Sequence, residues 1–328
     1  MHLTAEQLAD FDRDGYVIAR GILSPVEDLQ PVMDEYAEIL DREAERMFRD
    51  GEISSTYAEL PFDRRTIAIT REAGLLDPQA FDITIPINTA LLNRETRYHF
   101  GPAVFALLRN ERLLDAVESL IGPEITSNPV QHVRIKPPER FVTKNEGTGL
   151  VTTTGWHQDN GVVHEEADDT NMLTVWLPLT EATERNGCLM VVPGSYKDGL
   201  QVHCTMPNER GLKATTIPTQ LIPKERAKPL PMSPGDVLLM HKGCMHASLT
   251  NHSDDVRWSF DLRYNPTGQS TGRTYFPSWV ARSRANPETE LRDAAAWEQS
   301  WVDTMNRLMD SPEPIRAHRW DNSHELCA

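Results

Sequence analysis

The spacing of apolar residues changes near residue 125. Before that point they recur three and four apart, and after it they fall in short bursts between Gly, Pro, Asn and Asp. At the start, Thr4 with Gln7 three positions later fits a capping box, Leu8 and Phe11 form a short apolar stripe, and Gly15 can close the helix. "YVIARG" then reads as a strand. "SPVE" repeats the start signal, with Ser24 as N-cap, Pro25 at the first helical position and Glu27 at the capping-box position. Leu29, Val32, Met33, Tyr36, Ile39, Leu40 and Met47 follow at helical spacing, which predicts a long amphipathic helix over residues 25–49 with its stripe facing the core. From 50 to 100 the pattern is mixed, and the clustering of Leu75, Leu76, Leu91 and Leu92 suggests helices. "NERLLDAVESLIGPE" is clearer: Leu113, Leu114, Val117, Leu120 and Ile121 share one face, and Gly122-Pro123 stops it.

Beyond 125, the segments "VQHVRI", "LTVWLPL", "CLMVVPGS", "DVLLMH", "HASLT" and "VRWSFDLRY" are rich in branched and aromatic residues. Such a run of short strands predicts a β-sandwich or barrel, with the preceding helices packed on one sheet. Residues 280–311, with Trp297, Trp301, Met305 and Leu308, return to helical spacing. No repeat, low-complexity tract or linker divides the chain. The expectation is one domain over 1–328: a mostly helical part to 124, a β core over 125–270 and a C-terminal helical extension over 271–328.

Charge narrows the partners. The 328 residues include 49 acidic and 33 basic ones, and the net charge of −16 disfavours a nucleic acid or an anionic membrane surface. The amino terminus lacks a basic segment followed by an apolar run, and no stretch approaches the ~18 apolar residues of a membrane span, so a soluble, cytoplasmic protein is expected. Cys188, Cys204, Cys244 and Cys327 are scattered without a C-x-x-C pair; reduced thiols are expected, with neither a disulfide framework nor a thiolate zinc site.

Candidate chemistry begins at "TTTGWHQDNG". In an extended backbone, residues i and i+2 point to one face, so His157 and Asp159 could grip one object. Alone, the pair reads first as a hydrogen-bonded surface pair, and a metal site needs further residues. "GDVLLMHKGCMHASLTNHSDDVRWSFDLRY" adds His241 and His246, followed by arginines in another strand. Two histidines and one carboxylate on one face of a metal leave three positions open, the facial triad of non-haem Fe(II) oxygenases. A bidentate 2-oxoacid can fill two of these and dioxygen the third. The distal carboxylate of 2-oxoglutarate would then need a cation, and Arg257 is placed to supply one from the next strand. A surface ion pair is the competing role for Arg257. Arg257, Ser259, Asp261 and Arg263 share one strand face and Val256, Trp258, Phe260 and Leu262 the other, but alternation does not show which face points inward.

These stretches resemble the phytanoyl-CoA dioxygenase-like branch of the Fe(II)/2-oxoglutarate-dependent oxygenases. The similarity lies in "WHQD" at 156–159, "TVWLPLTEATERNGCLMVVPGSY" at 174–196 and "GDVLLMHKGCMHASLTNHSDDVRWSFDLRY" at 235–264, with a weaker match in "FDRDGYVIARGIL" at 11–23. Together they span about half the chain. The resemblance implies a mainly β fold with flanking helices around a double-stranded β-helix (jelly-roll, cupin-like) core. It implies that His157, Asp159 and His246 are the iron ligands, that Arg257 anchors the distal carboxylate of 2-oxoglutarate with Ser248 as its hydroxyl helper, that Trp176 lines the pocket and that Gln131 reaches the co-substrate. His241, five residues from His246, is the competing ligand. His132, His164, His203 and His252 read as satisfied loop or strand histidines, with a substrate-facing role as the alternative for His164. His164 opens the acidic run "HEEADD" at 164–169, which reads as a solvated loop or as a lid facing the substrate, where a cationic substrate group could be met.

The implied reaction consumes 2-oxoglutarate and dioxygen and releases succinate and CO2 as a small molecule is hydroxylated. In related halogenases a small residue replaces the carboxylate ligand, so Asp159 favours hydroxylation. Two alternatives stand beside it: a non-catalytic jelly-roll binding module, and a cupin metalloenzyme that does not use 2-oxoglutarate. The intact His157, Asp159 and His246 set argues against the first, and Arg257 with Ser248 against the second. No strong basic cluster for coenzyme A phosphates is visible, so a small metabolite or natural-product intermediate is the expected substrate. The sequence specifies no oligomeric state.

Overall fold

Thr4 caps helix α1 (Ala5–Asp14) through a complete capping box with Gln7, and Gly15 closes it in the left-handed region at φ 81°. Strand β1 (Tyr16–Ala19) follows. The structure, a computed structural model, describes residues 2–88, 91–144, 149–207, 213–311, 315–316 and 319–327. Ser24 caps the next helix as expected, but its first turn, Pro25–Leu29, is a wide π turn that leads into α2 (Gln30–Arg49). The stripe of α2 buries Val32, Tyr36, Ile39, Leu40 and Met47. Between 50 and 100 the expectation of helices holds only in part. Among the described residues only α3 (Phe62–Ala73) and the short turn Pro78–Phe81 are helical there. Side-chain ties hold the rest: Asp82 accepts from the backbone of Val133 and pairs with the His132 ring, while Glu35 accepts from the backbone of Ala103 and pairs with His99. Helices α4 (Pro102–Leu108) and α5 (Glu111–Ile121) complete this layer, α5 being capped by the Asn110 side chain.

The remaining elements are β2 (Glu124–Lys136), β3 (Leu173–Pro178), β4 (Leu189–Val191), β5 (Cys204–Pro207), β6 (Lys213–Thr216), β7 (Lys228–Leu230), β8 (Val237–His241), β9 (His246–Ser248), β10 (Arg257–Pro266), β11 (Trp279–Ser283) and helix α6 (Ala294–Met309). A six-stranded antiparallel sheet has the order β1-β8-β3-β10-β2-β11, a three-stranded one the order β7-β4-β9, and β5 and β6 form a separate hairpin. The two larger sheets face each other as a jelly roll, meeting through Trp176, Leu238 and Met240 of one and Leu189, Val191 and Leu230 of the other. The helices cover the opposite face of the six-stranded sheet, where Tyr36 packs 5.1 Å from Trp258 and 6.0 Å from Phe260 between ring centroids.

That packing answers the question the alternation of β10 left open. Trp258, Phe260 and Leu262 belong to the core under the helices. Arg257, Ser259, Asp261 and Arg263 therefore project between the sheets, where all four are buried.

The chain beyond 270 is not wholly helical, since β11 pairs with β2 at the sheet edge before α6 begins. The cysteine expectation is corrected as well: Cys204 on β5 is disulfide-bonded to Cys327, 123 residues away, while Cys188 and Cys244 are free and buried. Spacing rules detect pairs close in sequence, and this pair is joined only because the C-terminal segment returns to β5. Among the described residues no helix is long and apolar enough to cross a membrane.

Candidate metal and co-substrate site

Residues 154–157 run beside β9. His157 and His246 exchange backbone hydrogen bonds of 2.9 Å in both directions, and the Ser248 amide donates to the Thr154 carbonyl at 3.0 Å. This bridge sets the two imidazoles side by side, with ring centroids 4.1 Å apart. The single strand expected to carry His157 and Asp159 is not formed: His157 is a bridge residue, and Asp159 opens a 3-10 turn, Asp159–Val162. The i, i+2 relation survives because Gln158 between them turns away. Its amide donates to the carbonyls of Gly199 (2.9 Å) and Gly243 (2.7 Å), and its backbone N–H donates to His203 Nε2 (3.0 Å).

Asp159 Oδ1 lies 3.8 Å from His157 Nε2 and 3.9 Å from His246 Nε2. One ligand atom from each of the three buried side chains falls within 4.8 Å of the others, and no other such group of three His, Cys, Asp or Glu converges among the described residues. The Nδ1 atoms of His157 and His246 face the carbonyls of Gly155 (2.8 Å) and Cys244 (3.0 Å). Nδ1–H then donates outward and the Nε2 lone pair faces the carboxylate, the tautomer a metal requires. Burial, with His246 beside it, pushes the His157 pKa well down and keeps the ring neutral. Burial alone would raise the Asp159 carboxyl; the Arg263 guanidinium overcomes it and holds the group well below the usual carboxylate range. Arg263 Nη2 donates to Oδ1 at 2.6 Å and the Thr174 hydroxyl to Oδ2. Two imidazoles and one carboxylate on one side fit an octahedral ion with three positions left over.

His241 takes no part. Its Nδ1 accepts from the Gly243 amide at 3.0 Å and its ring lies 4.7 Å from Tyr196.

His157, His246, Thr174, Trp176, Ser248 and Arg257 line one narrow pocket. Arg257 is fully buried; it donates from Nη1 to the Ser259 hydroxyl, and its Nε and Nη2 have no partner among the described residues. Its neighbour Asp261 is bound by Arg134. Burial draws the Arg257 pKa down to about 10, so it is a cation at neutral pH with open donors. Such a group is costly to bury unless an acid completes it. Its guanidinium carbon lies 5.7 Å from the centre of the Trp176 ring. Ser248 Oγ accepts from the Thr154 amide (2.9 Å) and from Lys136 Nζ (3.0 Å).

Lys136 escaped the sequence reading. It stands opposite Arg257 in the β2–β10 register, fully enclosed, and burial together with Arg257 pushes its pKa well down. The signal was present in "VRIKPP", where Arg134 and Lys136 share the strand face opposite Val133 and Ile135. Gln131 is not brought to the pocket, because its amide donates to the Ile83 carbonyl at 2.8 Å. His164 stands apart as well, edge-on to Tyr275 with centroids 6.1 Å apart.

A larger chamber, of about 330 Å³, opens beside the triad and shares His157, Arg134 and Arg263 with the pocket. Its other walls include Val130, His132, Val162, Thr215, Thr216 and Arg273. The acidic run at 164–169 is not a wall of this chamber, and two of its acids are tied down: Asp168 forms a two-pronged pair with Arg319, one arm at 2.8 Å, and Glu165 pairs with Arg316 at 3.1 Å. Beside these pairs, Trp320 donates to the Gly161 carbonyl at 2.6 Å and stacks on His203. Gly161 must be glycine here, since a Cβ would meet the His203 ring at 2.3 Å.

The profile described as phytanoyl-CoA dioxygenase (PhyH) matches residues 11–259. The chain belongs to this family. Among curated relatives, phytanoyl-CoA dioxygenase 1 of Oryza sativa subsp. japonica is 25% identical over 266 residues, covering 79% of this chain and 88% of the relative. The 1-deoxypentalenic acid 11-beta-hydroxylase of Streptomyces exfoliatus is 27% identical over 271 residues, covering 78% and 90%. Among solved structures, the non-heme monooxygenase ThoJ in its apo form superposes with a TM-score of 0.55 at 20% identity, covering 92% of this chain and 96% of that one. EctD from S. alaskensis, solved with 2-oxoglutarate and 5-hydroxyectoine, gives 0.51 at 20% identity, covering 81% and 77%. Family membership places the chain among the iron- and 2-oxoglutarate-dependent oxygenases, and the structural likeness gives it their jelly-roll fold.

Proposed function

We propose that this member of the family is a hydroxylase acting on an aliphatic C–H bond of a small metabolite or natural-product intermediate, with release of succinate and CO2. The observation that carries the proposal is the open Arg257 guanidinium, enclosed in a pocket whose other wall is His157 and His246. A dicarboxylate reaching from the triad to Arg257 would complete those donors. In this reading His157, Asp159 and His246 hold Fe(II), and Arg257, Ser248 and Lys136 receive the distal carboxylate while Trp176 forms the wall. The iron, once bound, supplies dioxygen activation coupled to decarboxylation of 2-oxoglutarate.

The chain supplies the rest. Asp159 fills the third protein position, which leaves no vacancy for a halide and favours hydroxylation over halogenation. The chamber lies at the small end of the ~300–1,000 Å³ typical of ligand sites, which supports a compact substrate over an enclosed coenzyme A thioester. The Streptomyces exfoliatus relative, a 1-deoxypentalenic acid 11-beta-hydroxylase, points the same way.

The test is an anaerobic titration of the Fe(II) protein with 2-oxoglutarate, following the visible charge-transfer absorption of the chelate. The band is expected in the wild type, lost in Asp159→Ala and shifted to higher 2-oxoglutarate concentration in Arg257→Ala. No band from a folded, iron-loaded wild type would sink the reading.

A further inference from the structure

Arg273 belongs to the chamber, not to the co-substrate pocket. It is 4% exposed. Its Nη2 donates to the Val162 carbonyl at 3.0 Å, while Nε and Nη1 have no partner among the described residues. Val162 ends the turn that Asp159 begins, so this guanidinium is tied to the same short segment as the triad carboxylate. The two carboxylates nearest the centre are already committed, Asp159 to Arg263 and Asp261 to Arg134. Among the described residues the chamber wall contains three arginines and His132, but no Asp or Glu. Arg134 and Arg263 are each paired with an acid, and His132 is paired with Asp82.

A buried cation without an acid is unfavourable in the empty chamber, and becomes favourable when an anion enters. Burial draws the Arg273 pKa to about 10, which leaves it protonated at neutral pH. The threonines of the chamber wall, Thr153, Thr215 and Thr216, carry no compensating charge.

We propose that Arg273 binds an oxyanion of the prime substrate, a carboxylate or a phosphate ester, and through it fixes which carbon faces the triad. The inference rests on the reading above that this chamber receives the substrate. It restricts that substrate to a small anion, and it makes Arg273 a specificity residue separate from the 2-oxoglutarate anchor Arg257.

Two measurements test it. Crystals of the iron- and 2-oxoglutarate-loaded protein, grown without oxygen and soaked in sodium bromide, should show a bromine anomalous peak against the Arg273 guanidinium that is absent in Arg273→Gln crystals. A chamber without bromide overturns the proposal. In solution, succinate release is screened with matched pairs: carboxylic acids against their primary amides, and phosphate monoesters against their parent alcohols. Only the anionic member of a pair should stimulate release, and the two series show which oxyanion is preferred. For a stimulating anion, Arg273→Gln should raise KM about 100-fold, the scale expected for a lost buried charge pair, and Arg273→Lys should recover part of it. Amides or alcohols that stimulate as well as their partners, or a KM unchanged in Arg273→Gln, overturn it. If Arg273→Gln fails to fold, the matched pairs on the wild type still decide; if no compound stimulates, the bromide result does. The same bromide soak on crystals without iron and 2-oxoglutarate separates the two failures: a missing charge-transfer band with bromide still at Arg273 strikes the hydroxylase reading, and a normal band without bromide strikes the Arg273 proposal.

Discussion

Arg263 donates a 2.6 Å hydrogen bond to Oδ1 of Asp159, which lies 104 residues earlier in the chain, and both side chains are buried. Without a metal, Arg263 is the cation that makes a carboxylate tolerable there. In Arg263→Met the carboxylate keeps only the Thr174 hydroxyl, and the metal-free protein should lose about 3–5 kcal/mol of stability, as when one partner of a buried ion pair is removed. A divalent ion restores the missing positive charge. The rise in Tm on adding manganese(II), a redox-quiet stand-in for iron, should therefore be larger in Arg263→Met than in the wild type. A smaller rise would mean that Arg263 serves chiefly to orient Asp159 for the metal.

Lys136 should make 2-oxoglutarate binding sensitive to pH. In the free protein burial and Arg257 push its pKa well below the ordinary lysine value. A carboxylate arriving beside Ser248 favours the ammonium, so binding should draw a proton from solution and weaken as pH rises. Calorimetry of 2-oxoglutarate binding to the Fe(II) protein, in buffers of different ionisation enthalpy, should show proton uptake in the wild type and none in Lys136→Met. Equal uptake in both proteins would remove Lys136 from the co-substrate site.

The parts of the site legible in the sequence were those carried by short spacing. His157 and Asp159 could be paired because i and i+2 share a face even when the strand gives way to a turn, and Gln158 is the residue that turns away. Arg257 was legible as a cation near His246, but its inward direction was not. Alternation defines two faces, and only the packing of Tyr36 on Trp258 and Phe260 shows which of them the helices cover. The Arg263–Asp159 pair was hidden by distance in sequence, because no spacing shows that the turn opened by Asp159 comes to lie against β10. Gln131 was misplaced because a strand position alone does not reveal a neighbour such as the Ile83 carbonyl, which comes from irregular chain. β5, β6 and β7 escaped notice because "CTMP", "KATT" and "KPL" lack the apolar alternation that marks a half-buried strand.

The disulfide gives a thiol count that can be checked directly. Unfolded without reductant, the protein should expose two reactive thiols, Cys188 and Cys244, and after reduction four. Because Cys204 and Cys327 close a loop of 123 residues, the chain-entropy model gives the bond about 3–5 kcal/mol. Cys327→Ser should lower the denaturation midpoint and loosen the C-terminal segment that carries Arg319 and Trp320. Four reactive thiols before reduction would refute the pairing.

His203 should make the fold sensitive to acid. Burial lowers its pKa from 6.5 to about 4. The cause is visible in its contacts: Nε2 accepts from the Gln158 amide, Nδ1 faces the Gln201 carbonyl, and Trp320 stacks on the ring. Protonation would convert Nε2 from acceptor to donor and set it against the Gln158 N–H. Above pH 6.5 the ring is neutral in both folded and unfolded chains, and its contribution to stability is fully present. As pH falls from 6.5 towards 4, the unfolded chain takes up a proton that the folded one refuses, so stability drops at up to ~1.4 kcal/mol per pH unit from this group. Burial likewise lowers His241 to about 4, with Lys242 adding to the effect, and the loss from that ring has the same sign. The measurement is Tm against pH for wild type, His203→Gln and His241→Gln. Each variant should be less stable at pH 7.5 and fall less steeply between 6.5 and 4. A His203→Gln curve parallel to the wild type would show that His203 is protonated in the folded chain, and that the Gln158 hydrogen bond does not form in solution.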